Sequence, residues 1–301
     1  MSNADRPLDC LVIGGGAAGL VAATYLARYR RRVQVVDAGD SRLQWIPRTH
    51  NVLGFPDGIA GSALWQRLRE HAARYGVEPL DGCVDALRRG QDEDVFDAVL
   101  GTQRLRARRV ILCTGARDIA APVKGLDEGL RLGQVRYCPV CDGFETQHQR
   151  VAVLGPGPRA QREALFIAGF DNQVTWLSMG SANAVDASLS PRLRAAGVTV
   201  EDQALARARC GEGQPVEVDL ADGRVLCFDT LYPALGLSHP STLATGLGAR
   251  AAADGQLEVD DHLQTAVPGL YAAGDVAAGL NQISVAAGQA AIAATAVHNS
   301  L

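Results

Sequence analysis

Two cysteines, Cys138 and Cys141, stand three positions apart in the segment YCPVCDGFE, and Asp142 follows directly. A zinc site usually takes four ligands from a second CxxC pair or from paired histidines, and the sequence has neither, so we expect no metal. A structural bridge is unusual in a reducing compartment. A redox dithiol is therefore favoured, because two such thiols close a small disulfide ring. Asp142 is suited to shuttle a thiol proton, and it also suits a helix N-cap.

The composition excludes several classes of protein. The chain has 301 residues, of which 47% are apolar, and its formal net charge is −4. This balance argues against a nucleic-acid partner. No stretch approaches the ~18 uninterrupted apolar residues of a membrane-spanning helix, and the start, MSNADRPLDC, lacks the apolar core of a signal peptide. Seven irregularly spaced cysteines do not suggest a secreted disulfide framework. We expect a cytoplasmic protein with no membrane partner.

Residues 8–37 predict a strand, a glycine-rich turn, a helix and a second strand. The turn holds Gly14, Gly16 and Gly19 in the spacing GxGxxG, and Asp37 ends the second strand. In such a turn the first glycine permits the bend, the second lets backbone approach a pyrophosphate, and the third lets the helix pack against the strand. The helix N-terminus attracts the anion, and Asp37 would accept hydrogen bonds from ribose hydroxyls.

A similar unit recurs in the middle of the chain, with Gly155 and Gly157 in its turn. Its predicted elements are a strand at 150–154, a helix at 160–169 and a strand at 173–177. The chain is thus predicted to be α/β, with two doubly wound (Rossmann-like) dinucleotide-binding domains, the second inserted into the first. The predicted domains are 1–117 with 236–301, and 118–235.

Two further predicted strands lead into polar turns. The strand at 109–113 precedes Thr114 and Gly115, and the strand at 269–273 precedes Gly274 and Asp275. A helix is predicted over 283–298. An aspartate at a strand end can hold a ribityl or pyrophosphate group, so these positions favour FAD in the first domain; Asp275 is also suited to cap a helix.

These segments together resemble the low-molecular-weight thioredoxin reductase family of flavoprotein disulfide oxidoreductases, along nearly the whole chain. The segments that carry the resemblance are Gly14–Gly19 (including Ala17 and Ala18), Asn51–Pro56, Cys113–Ala116, Cys138–Gly143, Val267–Val276, Gln282 and Ala286–Gly288.

The resemblance implies that FAD lies in the outer domain and exchanges electrons with the CxxC disulfide of the inserted domain. It implies that Asp142 is the acid–base group, that Asp275 and Gln282 touch the flavin, and that Asn51 lies near it. It further implies that Cys141 faces the flavin while Cys138 attacks the partner disulfide. A thioredoxin-like protein or a small disulfide or dithiol is the implied substrate, a reduced pyridine nucleotide the usual donor, and a homodimer the implied assembly. Segments 116–120 and 232–238 would be hinges between two domain arrangements.

The second glycine turn departs from the family pattern. Pro156 and Pro158 remove two backbone N–H donors from the phosphate cradle. The strand end at 177–180 reads LSMG, with neither an acid for a free ribose nor an arginine for a 2′-phosphate. Arg159 and Arg162, at the helix start, are candidates to hold phosphates.

Several interpretations of the second site stay open. It binds NAD(P)H weakly; or ferredoxin or another donor supplies the electrons; or the site holds a different adenine ligand, such as a second FAD. The enzyme would alternatively oxidise a small-molecule dithiol through FAD. A non-catalytic flavin-binding redox sensor is a further alternative.

Overall fold

The structure is a computed structural model that describes residues 6–92, 94–180, 186 and 188–301. Parts of both predicted domains, at residues 1–5, 93, 181–185 and 187, lie outside the described residues. The strands are β1 Leu8–Ile13, β2 Val33–Asp37, β3 Leu80–Asp81, β4 Ala86–Arg89, β5 Phe96–Leu100, β6 Gln103–Leu112, β7 Arg117–Asp118, β8 Arg150–Leu154, β9 Gln173–Leu177, β10 Thr199–Glu201, β11 Leu205–Arg209, β12 Val216–Leu220, β13 Val225–Phe228, β14 Thr230–Pro233, β15 Leu237–Ser238 and β16 Leu270–Ala272. The α-helices are α1 Ala17–Arg28, α2 Gly61–Ala73, α3 Leu126–Leu132, α4 Pro139–Asp142, α5 Gly157–Ala168, α6 Ser190–Ala195, α7 Thr242–Thr245 and α8 Ile283–Asn299, and 3₁₀ turns lie at Arg42–Trp45 and Phe144–Thr146.

The chain divides into two compact units. Unit 1 comprises Met1–Ile46, Val52–Arg117 and Ser238–Leu301, and unit 2 comprises Pro47–Asn51 and Asp118–Leu237. The main crossings fall within β7 and β15, which pair as a two-stranded sheet. The domain limits drawn from the sequence stay a prediction.

Unit 1 is built on a seven-stranded sheet in the order β3-β2-β1-β6-β5-β4, with β16 beside β6. The strands β1, β2, β3, β6 and β16 are parallel, whereas β4 and β5 run antiparallel to their neighbours. The long strand β6 pairs with β5 along its first half and with β16 along its last three residues. β1 is buried from end to end apart from its first residue, and it is apolar except for Asp9, whose carboxylate accepts a hydrogen bond from the Arg32 N–H.

Unit 2 is built on a four-stranded parallel sheet in the order β10-β9-β8-β14, accompanied by the antiparallel sheet β11-β12-β13. Side chains along β8 alternate between two hydrophobic clusters. Val151 and Val153 pack with α5, while Ala152 and Leu154 pack with β12. A sheet covered on both faces needs apolar residues at every position, which is why β8 shows no alternation of polar and apolar residues.

The predicted α/β class, with two Rossmann-like units and the second inserted into the first, is confirmed by this topology. The predicted limits of β1, β8 and β9 are confirmed to the residue. The predicted start of α5 is wrong by three residues, because the helix already begins at Gly157. Pro158 fits its first turn, where a missing N–H removes no helical hydrogen bond.

The predicted limits of three other elements differ from the structure by one to six residues. β6 begins at Gln103 and not at 109, because its first half pairs with β5. β16 is shorter than predicted and covers Leu270–Ala272, whereas α8 runs one residue further, to Asn299.

The described residues contain no helix with both the length and the apolar character needed to cross a bilayer.

The Trp176 indole ties the second glycine turn to β9, and its loss should destabilise unit 2. Trp176 is fully buried and its Nε1 donates to the Gly155 carbonyl at 2.9 Å. Trp176→Phe leaves that carbonyl unsatisfied and a gap in the core, so we expect the free energy of unfolding to fall by about 1–3 kcal/mol. Urea denaturation followed by circular dichroism measures the change. Trp45→Phe is the matched control, since Trp45 is 64% exposed; equal losses in both variants would contradict the assignment.

Candidate active site

The two cysteines belong to a single helical turn in unit 2, Cys138 as its N-cap and Cys141 within it. Cys138 is the N-cap of α4, and a disulfide joins it to Cys141 with the two Cα atoms 5.3 Å apart. Pro139 occupies the first helical position, where proline is favoured. Both cysteines are half-buried.

Position 143, two residues after Cys141, has no room for a side chain. A Cβ at this position would lie 2.6 Å from the Pro139 carbonyl oxygen and 2.9 Å from the Phe170 ring. Its N–H donates to that same carbonyl at 2.8 Å. The segment from Cys138 to Gly143 is therefore a tight turn pressed against the body of unit 2.

Asp142 is held by two side chains. The Tyr232 hydroxyl donates to its Oδ1 at 2.7 Å, and the Arg136 Nη1 lies 3.7 Å from its Oδ2. Burial raises the pKa of the Asp142 carboxyl, opposed by the Arg136 charge and the Tyr232 hydrogen bond and assisted by Glu145. Asp142 is the last residue of α4, so it does not cap the start of that helix. The arrangement suits proton exchange beside the thiols.

Sequence reasoning did not single out Tyr232 or Arg136. Tyr232 lies on β14, 90 positions after Asp142, and its hydroxyl pKa is raised by burial and by the neighbouring carboxylate. No spacing rule links a tyrosine in a buried strand to a distant acid. The sequence offered one signal: Tyr232 lies in the otherwise apolar segment TLYPALGL, and a buried tyrosine hydroxyl needs a hydrogen-bond partner.

In unit 1 the first glycine turn packs as closely as its sequence suggests. A Cβ at Gly19 would lie 1.8 Å from the Gly14 carbonyl oxygen, and one at Gly14 would lie 2.2 Å from the Cys113 carbonyl oxygen. Gly14 also has φ +110°, a conformation that favours glycine. The turn therefore lies flush against the ends of β1 and β6.

The N-terminus of α1 is suited to an anion. Gly16 is its N-cap without a side-chain cap, and its first turn, which begins with Ala17 and Ala18, carries no acidic residue among the described positions. The backbone N–H groups of that turn have no carbonyl partner within the helix. Together with the helix dipole they fit a pyrophosphate.

Asp37 ends β2 next to this turn. Its Oδ1 accepts hydrogen bonds from the N–H groups of Gly15 at 3.1 Å and Gly39 at 3.2 Å. Its Oδ2 is buried and accepts no hydrogen bond from the described residues, with Arg69 Nη1 3.6 Å away. A buried acceptor without a hydrogen-bond donor among the described residues, beside the first glycine turn, fits the ribose hydroxyls of a dinucleotide.

Helix α2 supplies two contacts to this turn that the sequence did not reveal. Arg69 forms the ion pair with Asp37, and Trp65 Nε1 donates to the Gly15 carbonyl at 2.9 Å. The two residues lie four apart, on one face of the helix, and the Arg69 guanidinium stacks over the Trp65 ring. The four-residue spacing predicts that Trp65 and Arg69 share one face of α2, but it does not predict which turn that face contacts.

The other predicted flavin-site residues of unit 1 lie past β6 and β16. The Thr114 hydroxyl donates to the Pro240 carbonyl at 2.8 Å, and Gly115 follows it. The Gly274 N–H donates to Gln289 at 2.8 Å, and a Cβ on Gly274 would lie 2.9 Å from that of Ala18.

Asp275 and Gln282 lie between β16 and α8. Asp275 Oδ2 is 3.2 Å from Arg42 Nη1. Gln282 is the N-cap residue of α8, so Asp275 does not cap that helix.

Asn51, expected near the flavin, is grouped with unit 2. It accepts a hydrogen bond from the Thr49 hydroxyl at 2.9 Å. The structure therefore does not bring it together with the first glycine turn inside one unit.

The second glycine turn differs from the first in the polar and charged groups around it. Pro156 is the N-cap residue of α5, and Arg159 is paired with Glu163 at 3.0 Å on the same helix. Ser178, at the end of β9, is fully buried and its hydroxyl donates to the Asp202 carboxylate. A carboxylate therefore lies beside the residue that follows β9, and a carboxylate repels a phosphate.

Within the described ranges, no three His, Cys, Asp or Glu side chains are grouped so as to hold a metal ion.

Comparisons with known proteins place the chain in a family. The family described as pyridine nucleotide-disulphide oxidoreductase matches residues 8–290. Thioredoxin reductase of Treponema pallidum (strain Nichols) is 30% identical over 299 residues, covering 96% of this chain and 95% of that protein. NADH dehydrogenase of Bacillus subtilis (strain 168) is 32% identical over 301 residues, covering 96% of this chain but only 58% of that longer protein.

A solved structure agrees with these matches. The crystal structure of thioredoxin reductase from Streptococcus pyogenes MGAS5005 superposes with a TM-score of 0.89, at 27% identity and over 97% of both chains. Proteins of this kind bind FAD and typically NADPH. The chain belongs to the pyridine nucleotide-disulphide oxidoreductase family and is a thioredoxin reductase-like flavoprotein disulfide oxidoreductase.

Proposed function

We propose that this enzyme moves electron pairs between FAD and the Cys138–Cys141 pair, and on to the disulfide of a thioredoxin-like protein or of a small molecule. The observation that carries the proposal is the half-buried Cys138–Cys141 disulfide, followed directly in the chain by Asp142, whose side chain is 15% exposed and whose pKa is raised by burial. A disulfide with a proton-exchanging carboxylate at its side is suited to turnover, whereas a structural bridge needs no such group.

Unit 1 supplies the residues proposed to hold FAD. The N-terminus of α1, with Gly14, Gly16 and Gly19 before and within its first turns, would bind the pyrophosphate, and the open Oδ2 of Asp37 would accept a ribose hydroxyl. Thr114, Gly115, Gly274, Asp275 and Gln282 lie past the ends of β6 and β16 and are proposed to line the flavin portion. Bound FAD supplies or accepts the electron pair.

The cysteine pair carries out thiol–disulfide exchange in two steps. In the reduced pair, the Cys138 thiolate attacks one sulfur of the substrate disulfide, forming a mixed disulfide and releasing the other substrate sulfur as a thiolate. The Cys141 thiolate then attacks the Cys138 sulfur, which closes the ring again and releases the second substrate sulfur. Asp142 accepts a proton from a cysteine thiol as it becomes a thiolate, and returns it to a leaving sulfur. The pair loses two electrons and the substrate gains them.

The donor is proposed to be other than NADPH in its usual site. Asp202 beside Ser178 repels a 2′-phosphate, and Arg159 is engaged with Glu163. Ferredoxin or another donor would then supply electrons to the flavin. The second site would bind NAD(P)H weakly, or hold an adenine ligand without a 2′-phosphate, such as a second FAD.

The pairing of Ser178 with Asp202 and of Arg159 with Glu163 also favours a second candidate function. Where no nicotinamide delivers electrons, the pair can run in the opposite direction and oxidise a small-molecule dithiol, passing electrons through FAD to an acceptor. A non-catalytic redox sensor would share the flavin and the cysteine pair but would show no turnover in either direction. The homodimer and the cytoplasmic location stay predictions.

Asp37→Asn should weaken FAD binding. The change removes the charge that accepts the ribose hydroxyl, and a lost charge-assisted bond corresponds to about a tenfold weaker affinity or more. Titrating flavin-free protein with FAD, followed by quenching of flavin fluorescence, gives the affinity. Asp40→Asn, a change at an exposed aspartate three positions away, is the control. The same affinity in both variants would remove Asp37 from the site.

Cys138→Ser and Cys141→Ser should each abolish reduction of a substrate disulfide while leaving the flavin bound. A single thiol can form a mixed disulfide but cannot resolve it. Turnover with a thioredoxin, together with the flavin-to-protein ratio, measures both properties. Cys83→Ser alters an exposed free cysteine and should leave turnover unchanged. Full turnover in either active-site variant would exclude the pair from the reaction.

Stoichiometric NADPH, added without oxygen, should bleach the flavin slowly or not at all. The expected cause is repulsion between the 2′-phosphate and Asp202 at the end of β10. Stopped-flow absorbance records the rate, and dithionite gives the fully reduced reference. Rapid and complete bleaching by micromolar NADPH would show that the second site reads this nucleotide.

A further inference from the structure

We propose that Tyr232 and Arg136 are positioning residues that hold the Asp142 carboxylate in place and fix the pH at which it exchanges a proton with the cysteine pair. The inference deepens the proposed function and rests on it. Asp142 carries two oxygens, and each faces a different donor: the phenol at Oδ1 and the guanidinium at Oδ2.

Tyr232 is a rigid donor because the sheet fixes it. It lies on β14 opposite Val153 of β8, and its side chain is fully buried in the cluster that contains Ala164 and Ile167 of α5. Its hydroxyl reaches out of this cluster to Asp142 at 2.7 Å. The position of Asp142 is thus tied to the sheet of unit 2 through its edge strand β14, although α4 itself is a single turn.

Arg136 is anchored to the same strand. Its backbone N–H donates to the Leu231 carbonyl at 3.0 Å, next to Tyr232, and its Nε donates to the Gly133 carbonyl at 2.8 Å. The side chain is 23% exposed, and its Nη1 lies 3.7 Å from Asp142 Oδ2. The segment ahead of the CxxC motif therefore lies along β14 and presents the cation in register with the phenol.

The surroundings of Asp142 act on the pKa of its carboxyl in opposite directions. Burial raises the pKa of its carboxyl, Arg136 and Tyr232 lower it, and Glu145 raises it. Only 15% of the side chain is exposed, so solvent screens these effects weakly. Removing either donor leaves burial and Glu145 less opposed, and the pKa of Asp142 then rises further.

A higher pKa at Asp142 changes the pH at which the cysteine pair reacts. When the reduced pair attacks a disulfide, a cysteine thiol loses its proton to ionised Asp142, the sulfur bonds to the substrate, and the departing substrate sulfur takes up the electron pair. The rate therefore falls with decreasing pH as Asp142 becomes protonated. A variant with a higher pKa at Asp142 loses its rate at a higher pH.

Tyr232→Phe in the full-length, flavin-loaded protein tests the inference. The prereduced protein is mixed with 2-hydroxyethyl disulfide at a series of pH values, quenched in acid and alkylated, and mass spectrometry of the peptide with Cys138 and Cys141 gives the rate of ring closure. We expect the acidic limb of the pH profile to move up by about one pH unit, the size of a lost hydrogen bond to a charged group. An unmoved limb would overturn the proposal.

Three further variants separate positioning from general damage. Arg136→Gln should move the limb in the same direction, and Arg136→Lys, which keeps the cation, should move it less. Tyr29→Phe removes a phenol that is bonded to Thr295 in unit 1, and it should leave the profile where it is. A shift of equal size in Tyr29→Phe would contradict a local effect.

An infrared pH titration gives a readout that needs no turnover. The carboxyl band of Asp142 is assigned by its loss in Asp142→Asn, and its midpoint should rise in Tyr232→Phe as the kinetic limb does. If the wild-type pair fails to reduce the probe at any pH, the proposed function fails, and the infrared midpoint still decides the role of Tyr232. An unchanged midpoint would overturn that role, whatever the kinetics.

Discussion

The carboxyl ends of parallel strands meet at one edge of a sheet, and both units place polar side chains at that edge. In unit 1 the edge brings the glycine turn after β1 to the Cys113 carbonyl after β6, and Asp37 closes the end of β2. In unit 2 the same edge holds Gly155, Ser178 and the neighbouring Asp202. In unit 2, β8 is buried on both faces because α5 packs on one face and β12 packs on the other.

The two units share this frame but differ in what they offer a ligand. Unit 1 leaves a buried carboxylate oxygen open and an uncapped helix N-terminus beside it. Unit 2 uses its strand-end serine internally, on Asp202, and pairs the first arginine of α5 with a glutamate. Such internal pairing lowers the positive charge that unit 2 can offer to a phosphate. The two units can therefore share a fold without binding the same ligand.

Local patterns allowed the sequence to predict the glycine turns, the strands β1, β8 and β9, and the cysteine pair with its adjacent acid. Glycine-rich turns and apolar runs depend on residues that are close in the chain, so they can be predicted from the sequence alone. The partners of Asp142 were not predictable, because Tyr232 reaches it through the packing of β14 and not through any spacing in the chain. The same holds for Arg69 and Trp65, whose contacts depend on how α2 lies against the first turn. The end of β6 that pairs with β5 was missed, since its exposed polar residues do not read as a buried strand.

The pairing of β16 with the last residues of β6 has a consequence for biogenesis. Unit 1 is interrupted after Arg117, and its remaining strand and the helix α8, which packs against α1, are encoded after all of unit 2. Unit 2 is encoded as one nearly continuous stretch, whereas the end of β6 in unit 1 receives its neighbour β16 only when Leu270–Ala272 have been synthesised. Unit 1 is therefore begun first in synthesis and receives its last strand and helix after unit 2 has been synthesised.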